Sequence, residues 1–397
     1  CAIAERSAAG DGPHARILGV GHGRSRGVKG GFLVDLDQAE AAVRAAVSQA
    51  EQMAGITLDR VVVNVTCGRV RSMHYFAHAN LASGQVGRDD IQRLSGGAYV
   101  YAERGGRAVV HMSRIGYQLD GVPVRTPLRL SGRRLSAQYH AVSVDEAPLD
   151  NLNHLIERCY LEVDQFVPSG FASAVAAASD DERRFGVIVA DIGEGAISLA
   201  LMAESRFLFS EVLPFGGGHV TYDVARVLGT SLDEAERIKT LYGTMIVAGS
   251  DERQIISFQR VRGDEGEPGQ LTRAELRQII YPRVHSQLKL LRERIRSSSL
   301  LSATDYGVVV TGGGSQLTGL PQVASEVLGR PVRLGGARAL QGLPEAMTSP
   351  TFATVVGMVE CAAKQTAQDM RGAPAAGRHR AQGSYLERMR SWLQESF

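Results

Sequence analysis

Hydrophobic and polar positions follow two different periods along this chain, and where the period changes the chain divides into parts. Short runs of branched apolar residues at 17–20, 60–65 (RVVVNV), 163–167, 187–190 and 254–261 predict strands. The opening residues CAIAE look like the middle of another strand. Helical spacing appears between them. Ala39, Val43, Ala46, Val47, Ala50 and Met53 recur as one face, Asp37 with Glu40 reads as a capping box and Gly55 as the stop. Leu152, Leu155, Ile156 and Cys159 form the apolar face of a helix over 149–159. Further helices are expected at 220–228 and 233–241, over 272–298 with an interruption or kink at Pro282, and at 352–363, where small residues suit a core helix. Between 73 and 144 the texture changes to short alternating strands, 108–112 and 135–142, around a small polar helix near 88–97. About seventy residues is too much chain for a loop, so this stretch predicts a compact α+β insertion. The glycine-rich basic stretch 21–31 and the acidic stretch 263–269 read as loops.

Composition narrows the picture only modestly. The 397 residues are 44% hydrophobic and 22% charged, as in a globular protein with a real core and roughly two to four structural units. A net charge of +2 gives no bulk attraction to nucleic acid, which is not expected as a partner. Cys1, Cys67, Cys159 and Cys361 form no CxxC pair, so buried thiols in a reducing compartment are expected rather than a disulfide frame or a zinc site. No apolar run reaches the roughly 18 residues of a membrane span, and no signal-peptide pattern is visible. The strand-like opening predicts that the sequence starts inside a natural gene product.

Two strand–glycine units carry the candidate chemistry. In 187–201, VIVADIGEGAISLAL, an apolar strand ends at Asp191, Gly193–Glu194–Gly195 makes a tight hairpin, and a second apolar run leads away. Backbone N–H groups in such a turn can approach phosphate oxygens closely, with Asp191 placed to hold a metal ion or a water beside them. An ordinary hairpin fits the same residues. In 306–321, YGVVVTGGGSQLTGLP, a strand again feeds glycines, Gly312, Gly313, Gly314 and then Ser315. It is not the dinucleotide GxGxxG fingerprint, and no acid at the right distance downstream supports one. Between the two lie PFGGG (214–218) and the pair Glu236 and Lys239, one helical turn apart, which also fits a surface salt bridge. Together these units suggest a nucleotide held between two lobes.

The order of DIGEG, PFGGG, AERIK and VVVTGGGSQLTGLP resembles the actin/Hsp70/sugar-kinase superfamily, and within it the FtsA family of bacterial cell-division proteins. The 73–143 insertion sits where that family carries its extra subdomain. IGYQLDGVPVRTPLRLSGRRLSAQYH (115–140) looks like the family's hallmark segment, and LEVDQFVPSG (161–170) and the C-terminal end also match, so the resemblance covers nearly the whole chain. It implies an α/β, actin-like two-lobed fold of duplicated ribonuclease H-like domains, with an inserted small α+β subdomain and a C-terminal amphipathic helix. The implied division is 1–72, 144–180 and 336–363 for lobe 1; 73–143 for the insertion; 181–232 and 301–335 for lobe 2; 233–300 for an outer subdomain; 364–383 for a flexible linker; and 384–397 for a membrane-targeting helix. By position, the resemblance places Asp191, Gly193 and Gly195 at a phosphate hairpin and Gly216 and Gly217 in the next phosphate-side loop. It places Glu236 and Lys239 at ribose and adenine, and Gly312, Gly313, Gly314 and Ser315 at the adenosine. The implied ligand is ATP with Mg²⁺, Asp191 facing the metal.

Three departures follow from the same resemblance. The family's first phosphate hairpin would lie just before Cys1 and is not in this sequence, so poor nucleotide binding or poor folding is expected of this polypeptide. Glu194 replaces a usual glycine and would repel phosphates unless it points outward or meets the metal. Ala196, Ile197 and Ser198 replace a run that typically holds Thr and Asp. Vigorous ATP hydrolysis is therefore not expected.

At the C-terminus, 364–383 is rich in Ala, Gly, Arg and Gln and reads as a flexible tether. Ser384 and Glu387 then make a capping-box pattern. At helical spacing Trp392, Tyr385, Ser396, Met389, Leu393, Leu386 and Phe397 share one arc flanked by Arg388 and Arg390. Such a helix could dock on the protein's own surface, but behind a tether it reads better as lying in the plane of an anionic lipid surface. One short helix would bind weakly, and many copies in a polymer would bind firmly.

The resemblance therefore implies a non-enzymatic adaptor that binds ATP and polymerises on the cytoplasmic side of the inner membrane at the division septum. It would tether FtsZ filaments through the FtsZ C-terminal tail and recruit late division membrane proteins. Arg283 matches a basic position on the implied FtsZ-docking helix, and a solvated helix charge fits it as well. The rival readings are a sugar or acid kinase of the same superfamily and a type IV pilus-assembly adaptor of related fold.

Overall fold

The computed structural model describes residues 1–7, 14–103, 105–249, 251–261 and 268–372. The chain opens with an antiparallel hairpin of β1 (Ala2–Ser7) and β2 (His14–Val20). A loop holding the two-residue strands β3 (Val28–Lys29) and β4 (Phe32–Leu33) leads to α1 (Leu36–Ala54). The N-cap of α1 is Asp35 rather than the expected Asp37. Asp35 is extended and accepts from Gln38 N at 3.0 Å, while Asp37 already sits in the first turn, where its charge complements the helix dipole. Gly55 ends the helix in the left-handed conformation, as expected.

After β5 (Arg60–Val65) the insertion forms its own layer: β6 (Arg71–Asn80), α2 (Arg88–Ala102), β7 (Arg107–Leu119), β8 (Val122–Val124) and β9 (Arg134–Asp145). The four strands make an antiparallel sheet in the order β6-β9-β7-β8, and Leu94, Tyr99, Leu135, Ala137 and Tyr139 pack between sheet and helix. These strands run well beyond 108–112 and 135–142. Polar residues such as Ser136, His140 and Ser143 are buried on β9, which breaks the alternation that marks a half-buried strand.

The chain returns through α3 (Glu146–Arg158), β10 (Glu162–Pro168), α4 (Ser169–Ala177) and α5 (Asp180–Phe185). β10 pairs in parallel with β5. Lobe 2 follows as β11 (Val187–Ile192), β12 (Ile197–Ala203), β13 (Arg206–Leu213) and α6 (Gly217–Leu228). The outer part comprises α7 (Leu232–Tyr242), the antiparallel pair β14 (Ile255–Phe258) and β15 (Gly269–Thr272), α8 (Arg273–Ser297) and α9 (Ser299–Ser302). Of the loop expected at 263–269, residues 262–267 lie outside the described residues. α8 is one helix that continues through Pro282 without interruption. β16 (Gly307–Thr311), α10 (Leu320–Leu328) and β17 (Val332–Leu334) complete lobe 2, and α11 (Ala353–Gly372) closes the fold. α11 extends nine residues into the stretch read as a tether, so 364–372 is helical. The rest of the tether and the amphipathic helix lie outside the described residues.

The five-stranded sheet runs β13-β12-β11-β16-β17. Its side chains alternate between two cores, as the period of a strand requires. Ile188, Ala190 and Ile192 face α6, α8 and α10. Val187 and Val189 face the opposite way, toward a core that includes Ala174 of α4 and Ala353 and Val356 of α11. α4 and α11, expected wholly in lobe 1, therefore also cover the lobe 2 sheet. They cross so closely that a Cβ on Gly357 would lie 1.8 Å from Ala172 O. In lobe 1 the β1/β2 and β5/β10 pairs do not join. A cavity of about 810 Å³ separates them, lined by Ala2 and Ala4, Val61 and Val63, Val43 and Val47 of α1, and Val355 and Met358 of α11.

The architecture is the expected actin-like α/β fold with an inserted subdomain. No helix among the described residues is long and apolar enough to cross a membrane.

Candidate nucleotide-binding site

The hairpin at 193–196 forms because β11 and β12 pair through Asp191↔Ser198 and Ile192↔Ile197, leaving four residues to reverse the chain. Gly193 N–H closes the turn onto Ala196 O at 2.9 Å. The first turn of α6 then docks on it: Gly217 N–H reaches Gly193 O at 2.9 Å and Gly218 N–H reaches Glu194 O at 2.7 Å. A Cβ on Gly216 would stand 2.4 Å from Gly193 O, so a side chain there would push the helix off the hairpin. Gln287 of α8, buried, fixes the same corner by donating to Gly216 O at 3.0 Å.

Gly217 marks where the separate motifs meet. A Cβ placed on it would lie 3.6 Å from Gly193 O, 3.7 Å from Gly314 Cα and 3.7 Å from Lys239 Nζ. The hairpin, the α6 loop, the second glycine turn and α7 thus converge on one point, although they span more than a hundred residues of sequence.

Asp191 ends β11 and is buried. Ser173 Oγ donates to its Oδ2 at 2.5 Å and Thr354 Oγ1 does so at 2.8 Å. Burial pushes its carboxyl above the usual carboxylate range, and the two hydroxyls pull it back. Its Oδ1 faces the second turn, where a Cβ on Gly312 would come within 2.2 Å. Gly312 has φ +82, so both the backbone angle and the space call for glycine. Ser315 is buried and its hydroxyl donates to Gly312 O at 2.7 Å. It closes the turn rather than pointing out of it. Gly313 opens a single 3₁₀ turn through Gln316, and Gly314 packs on Ile192.

Glu236 and Lys239 form a compact cluster with Thr221 of α6. Lys239, buried, donates to Glu236 Oε2 at 2.6 Å, Thr221 Oγ1 at 2.8 Å and Gly217 O at 3.3 Å. Those contacts use all three of its N–H donors. Burial pushes the Glu236 carboxyl up, but the Lys239 ammonium outweighs it and holds the group below the usual carboxylate range. Lys239 therefore pins α7 to the first turn of α6, while Glu236, with its side chain 48% exposed, keeps a solvent-facing edge. Glu194 is exposed, and its side chain runs along the first turn of α6, where a Cβ on Gly218 would stand 3.0 Å from its Cγ.

The residues fit a nucleoside polyphosphate: glycine turns that a Cβ would fill surround one point beside a helix N-terminus. A metal is supported less directly. Among the described residues no group of three or more His, Cys, Asp and Glu side chains could hold an ion. Asp191 is a lone carboxylate, which suits Mg²⁺ only where phosphates and water supply the other ligands. Sequence reasoning missed Ser173, Thr354 and Thr221. Ser169 and Ser173 stand one helical turn apart in an otherwise small apolar run, which was the available signal. Arg283 lies on α8 in a two-pronged pair with Asp223 of α6, Nε to Oδ2 at 2.6 Å and Nη2 to Oδ1 at 3.0 Å. The membrane-facing candidates Tyr385, Leu386, Arg388, Met389, Arg390, Trp392, Leu393 and Phe397 lie outside the described residues.

Comparison with known proteins agrees with this reading of the fold. The family model described as Cell division protein FtsA matches residues 188–357, and the one described as SHS2 domain inserted in FTSA matches residues 67–143. The cell division protein FtsA of Agrobacterium fabrum is 37% identical over 96% of this chain and 87% of its own length. That of Pseudomonas aeruginosa is 29% identical over 96% and 92%. Among solved structures, a chain of a PilM-PilN type IV pilus biogenesis complex superposes with a TM-score of 0.61, covering 91% of this chain and 94% of that one at 16% identity, a likeness of fold alone. With whole-chain similarity of this order to the Agrobacterium protein, the chain belongs to the FtsA family of cell division proteins.

Proposed function

We propose that the chain is an ATP-binding adaptor that polymerises on the cytoplasmic face of the inner membrane at the septum, tethers FtsZ filaments and recruits late division membrane proteins. The observation that carries the nucleotide part is the convergence on Gly217 of the hairpin, the second glycine turn and Lys239. ATP would place its phosphates against the N–H groups of Glu194 and Gly195 at the tip of the hairpin, since those of Gly193, Gly217 and Gly218 already donate to carbonyls, and its ribose against the open edge of Glu236. Mg²⁺, when bound, would neutralise the phosphates, with Asp191 orienting its water. Lys239 acts as the residue that positions Glu236 and the α6 turn. Slow or negligible hydrolysis is expected. The Ser173 and Thr354 hydroxyls hold Asp191 Oδ2, and Lys239 and Thr221 hold Glu236 Oε2, which leaves neither of those oxygens as a free general base. That occupancy also disfavours a kinase.

The Asp223 partner uses Nε and Nη2 of Arg283, and a guanidinium has further donors for an acidic group on the FtsZ tail. The 384–397 segment would supply a weak lipid anchor made firm by polymerisation.

The test is co-sedimentation with liposomes containing anionic lipid, with and without ATP–Mg²⁺ and FtsZ, beside direct binding of a fluorescent ATP analogue. ATP-dependent recruitment of FtsZ to the pellet is expected. No analogue binding, or FtsZ recruitment unchanged by Trp392→Glu, would sink the reading.

A further inference from the structure

The loop between β2 and α1 is anchored at its base to lobe 1 and touches lobe 2 at three places. On the lobe 1 side, His22 N–H donates to Gln49 of α1 at 2.8 Å. Val34 and Asp35 N–H return to Gly27 O at 2.8 and 3.1 Å. The β3/β4 ribbon stiffens the tip. On the lobe 2 side each contact lands on a different wall of the nucleotide site. Gly30 lies on the phosphate hairpin so tightly that a Cβ on Gly195 would stand 2.8 Å from both its N and its Cα. Lys29 Nζ sits 5.8 Å from the centre of the Tyr222 ring on α6. Arg24 pairs with Asp233 in the first turn of α7.

We infer that residues 22–31 form a strap that latches lobe 1 over the nucleotide site and sets how fast nucleotide leaves. The inference rests on the nucleotide reading above and adds a gate to it. Two physical features favour a gate over a fixed strut. The Arg24–Asp233 pair is solvent-exposed, with side chains 61% and 73% accessible, and exposed pairs of this kind break readily. The strap also carries Arg24, Arg26 and Lys29 and no acidic residue between 22 and 31, so it brings positive charge to the edge of a site read as binding phosphates. Asp233 and the neighbouring Glu194 and Glu236 act on Arg24 from lobe 2. Bound polyphosphate would add to that attraction and favour the closed strap.

The experiment measures release of N-methylanthraniloyl-ATP by stopped-flow chase from the full chain, from Arg24→Asp, from Asp233→Arg and from the double variant. Each single variant is expected to release the analogue roughly three- to ten-fold faster, from loss of an exposed pair plus like-charge contact. The double variant, which restores the pair with reversed polarity, should return most of the way. Amide exchange over 23–31 should slow when the analogue is bound. Unchanged release in both single variants with binding intact overturns the strap and leaves the nucleotide site standing. Faster release in the double variant than in either single overturns it as well, because a latch requires rescue. Failure of the unaltered chain to bind the analogue overturns the nucleotide reading and the strap together.

Discussion

Thr354 Oγ1 of α11 donates to Asp191 Oδ2 of β11 across 2.8 Å and 163 residues of chain. Ser173 of α4 donates to the same oxygen and also lies 2.9 Å from Thr354 Oγ1. Three elements thereby meet on one buried carboxylate, and the floor of the proposed nucleotide site also ties α4 and α11 to the middle strand of the five-stranded sheet. A buried carboxylate is expensive without such partners. Ser173→Ala and Thr354→Val should each cost about 1–3 kcal/mol in urea unfolding. Each should also push the Asp191 carboxyl further upward, because a hydrogen bond that favours its charged form is lost. Carboxyl NMR titration would follow the shift, and an unmoved Asp191 resonance would show that the hydroxyls do not stabilise its charge.

Asp191→Asn keeps volume and removes charge, so it separates the site's chemistry from its packing. The variant should fold and lose the Mg²⁺-dependent part of ATP-analogue affinity, while Mg²⁺-independent binding persists. Calorimetric titration with and without Mg²⁺ measures both. Equal affinity to the unaltered chain under both conditions would remove Asp191 from the ligand's surroundings.

Lys239 invites a pH test. Its charge keeps the Glu236 carboxyl below its usual range, so this pair stabilises the fold above the unfolded-state value and loses that contribution as pH falls through the lowered folded value. Lys239→Met leaves burial as the dominant influence and should reverse the sign, so that stability from this group declines as pH rises instead. The cost near neutral pH should be about 1–3 kcal/mol, below that of a fully buried pair because Glu236 is half-exposed. Urea midpoints at pH 3.5, 5 and 7 give the comparison, and parallel profiles for the two proteins would contradict it.

The insertion meets the main body through histidines. His111 lies 4.8 Å from the Phe171 ring and 5.1 Å from Phe207, and His140 stacks on His74 at 4.9 Å. Burial lowers the His111 value to about 4 and that of His140 well below its ordinary range, the latter helped by the neighbouring histidines. The unfolded chain therefore takes up protons on these groups below about pH 6.5, whereas folded His111 refuses one until about pH 4. Stability should fall across that window as pH is lowered. His111→Phe, which suits the aromatic surroundings, should flatten the fall without loss at pH 7. An unaltered acid limb in that variant would assign the effect elsewhere.

Much of this arrangement was legible in the sequence where local pattern and tertiary role coincide. The strand at 60–65, the 193–195 hairpin and the Gly55 stop are set by branched residues and turn glycines, which act locally. α4 was not read, because Ser169–Ala177 is buried nearly all round and so shows no amphipathic stripe. The Ser173 and Thr354 bonds to Asp191 join distant segments and leave no spacing to find. Glu236 and Lys239 were visible as a pair, but the capture of all three lysine donors by Thr221, Gly217 and Glu236 depends on α6 docking beneath α7. Arg283 reads from the sequence as a basic helix position or a solvated charge, and its tie to Asp223, 60 residues distant, leaves no local spacing to find.

The two lobes invite one further comparison. In lobe 2, β11 pairs antiparallel with β12 on one side and parallel with β16 on the other. In lobe 1, the antiparallel pair β1/β2 and the parallel pair β5/β10 stand on either side of the 810 Å³ cavity, whose lining includes apolar residues of α1 and α11 beside polar ones such as Asn64 and Thr66. Two-stranded sheets are marginal on their own, and among the described residues β1 is paired with β2 alone and β5 with β10 alone. Amide exchange in β1 and β5 should accordingly run well ahead of β11 and β16, by orders of magnitude if local opening suffices. A strand–turn segment copying residues 187–196, fused ahead of Cys1, would enter antiparallel to β1, just as β11 precedes β12. Burying its apolar residues between two helix layers should raise Tm by about 5 °C or more and slow exchange in both flanking strands. A fusion carrying the same residues in scrambled order, with proline at two strand positions, should do neither. Equal melting temperatures for the ordered and scrambled fusions would mean that the cavity is too collapsible to accept a strand.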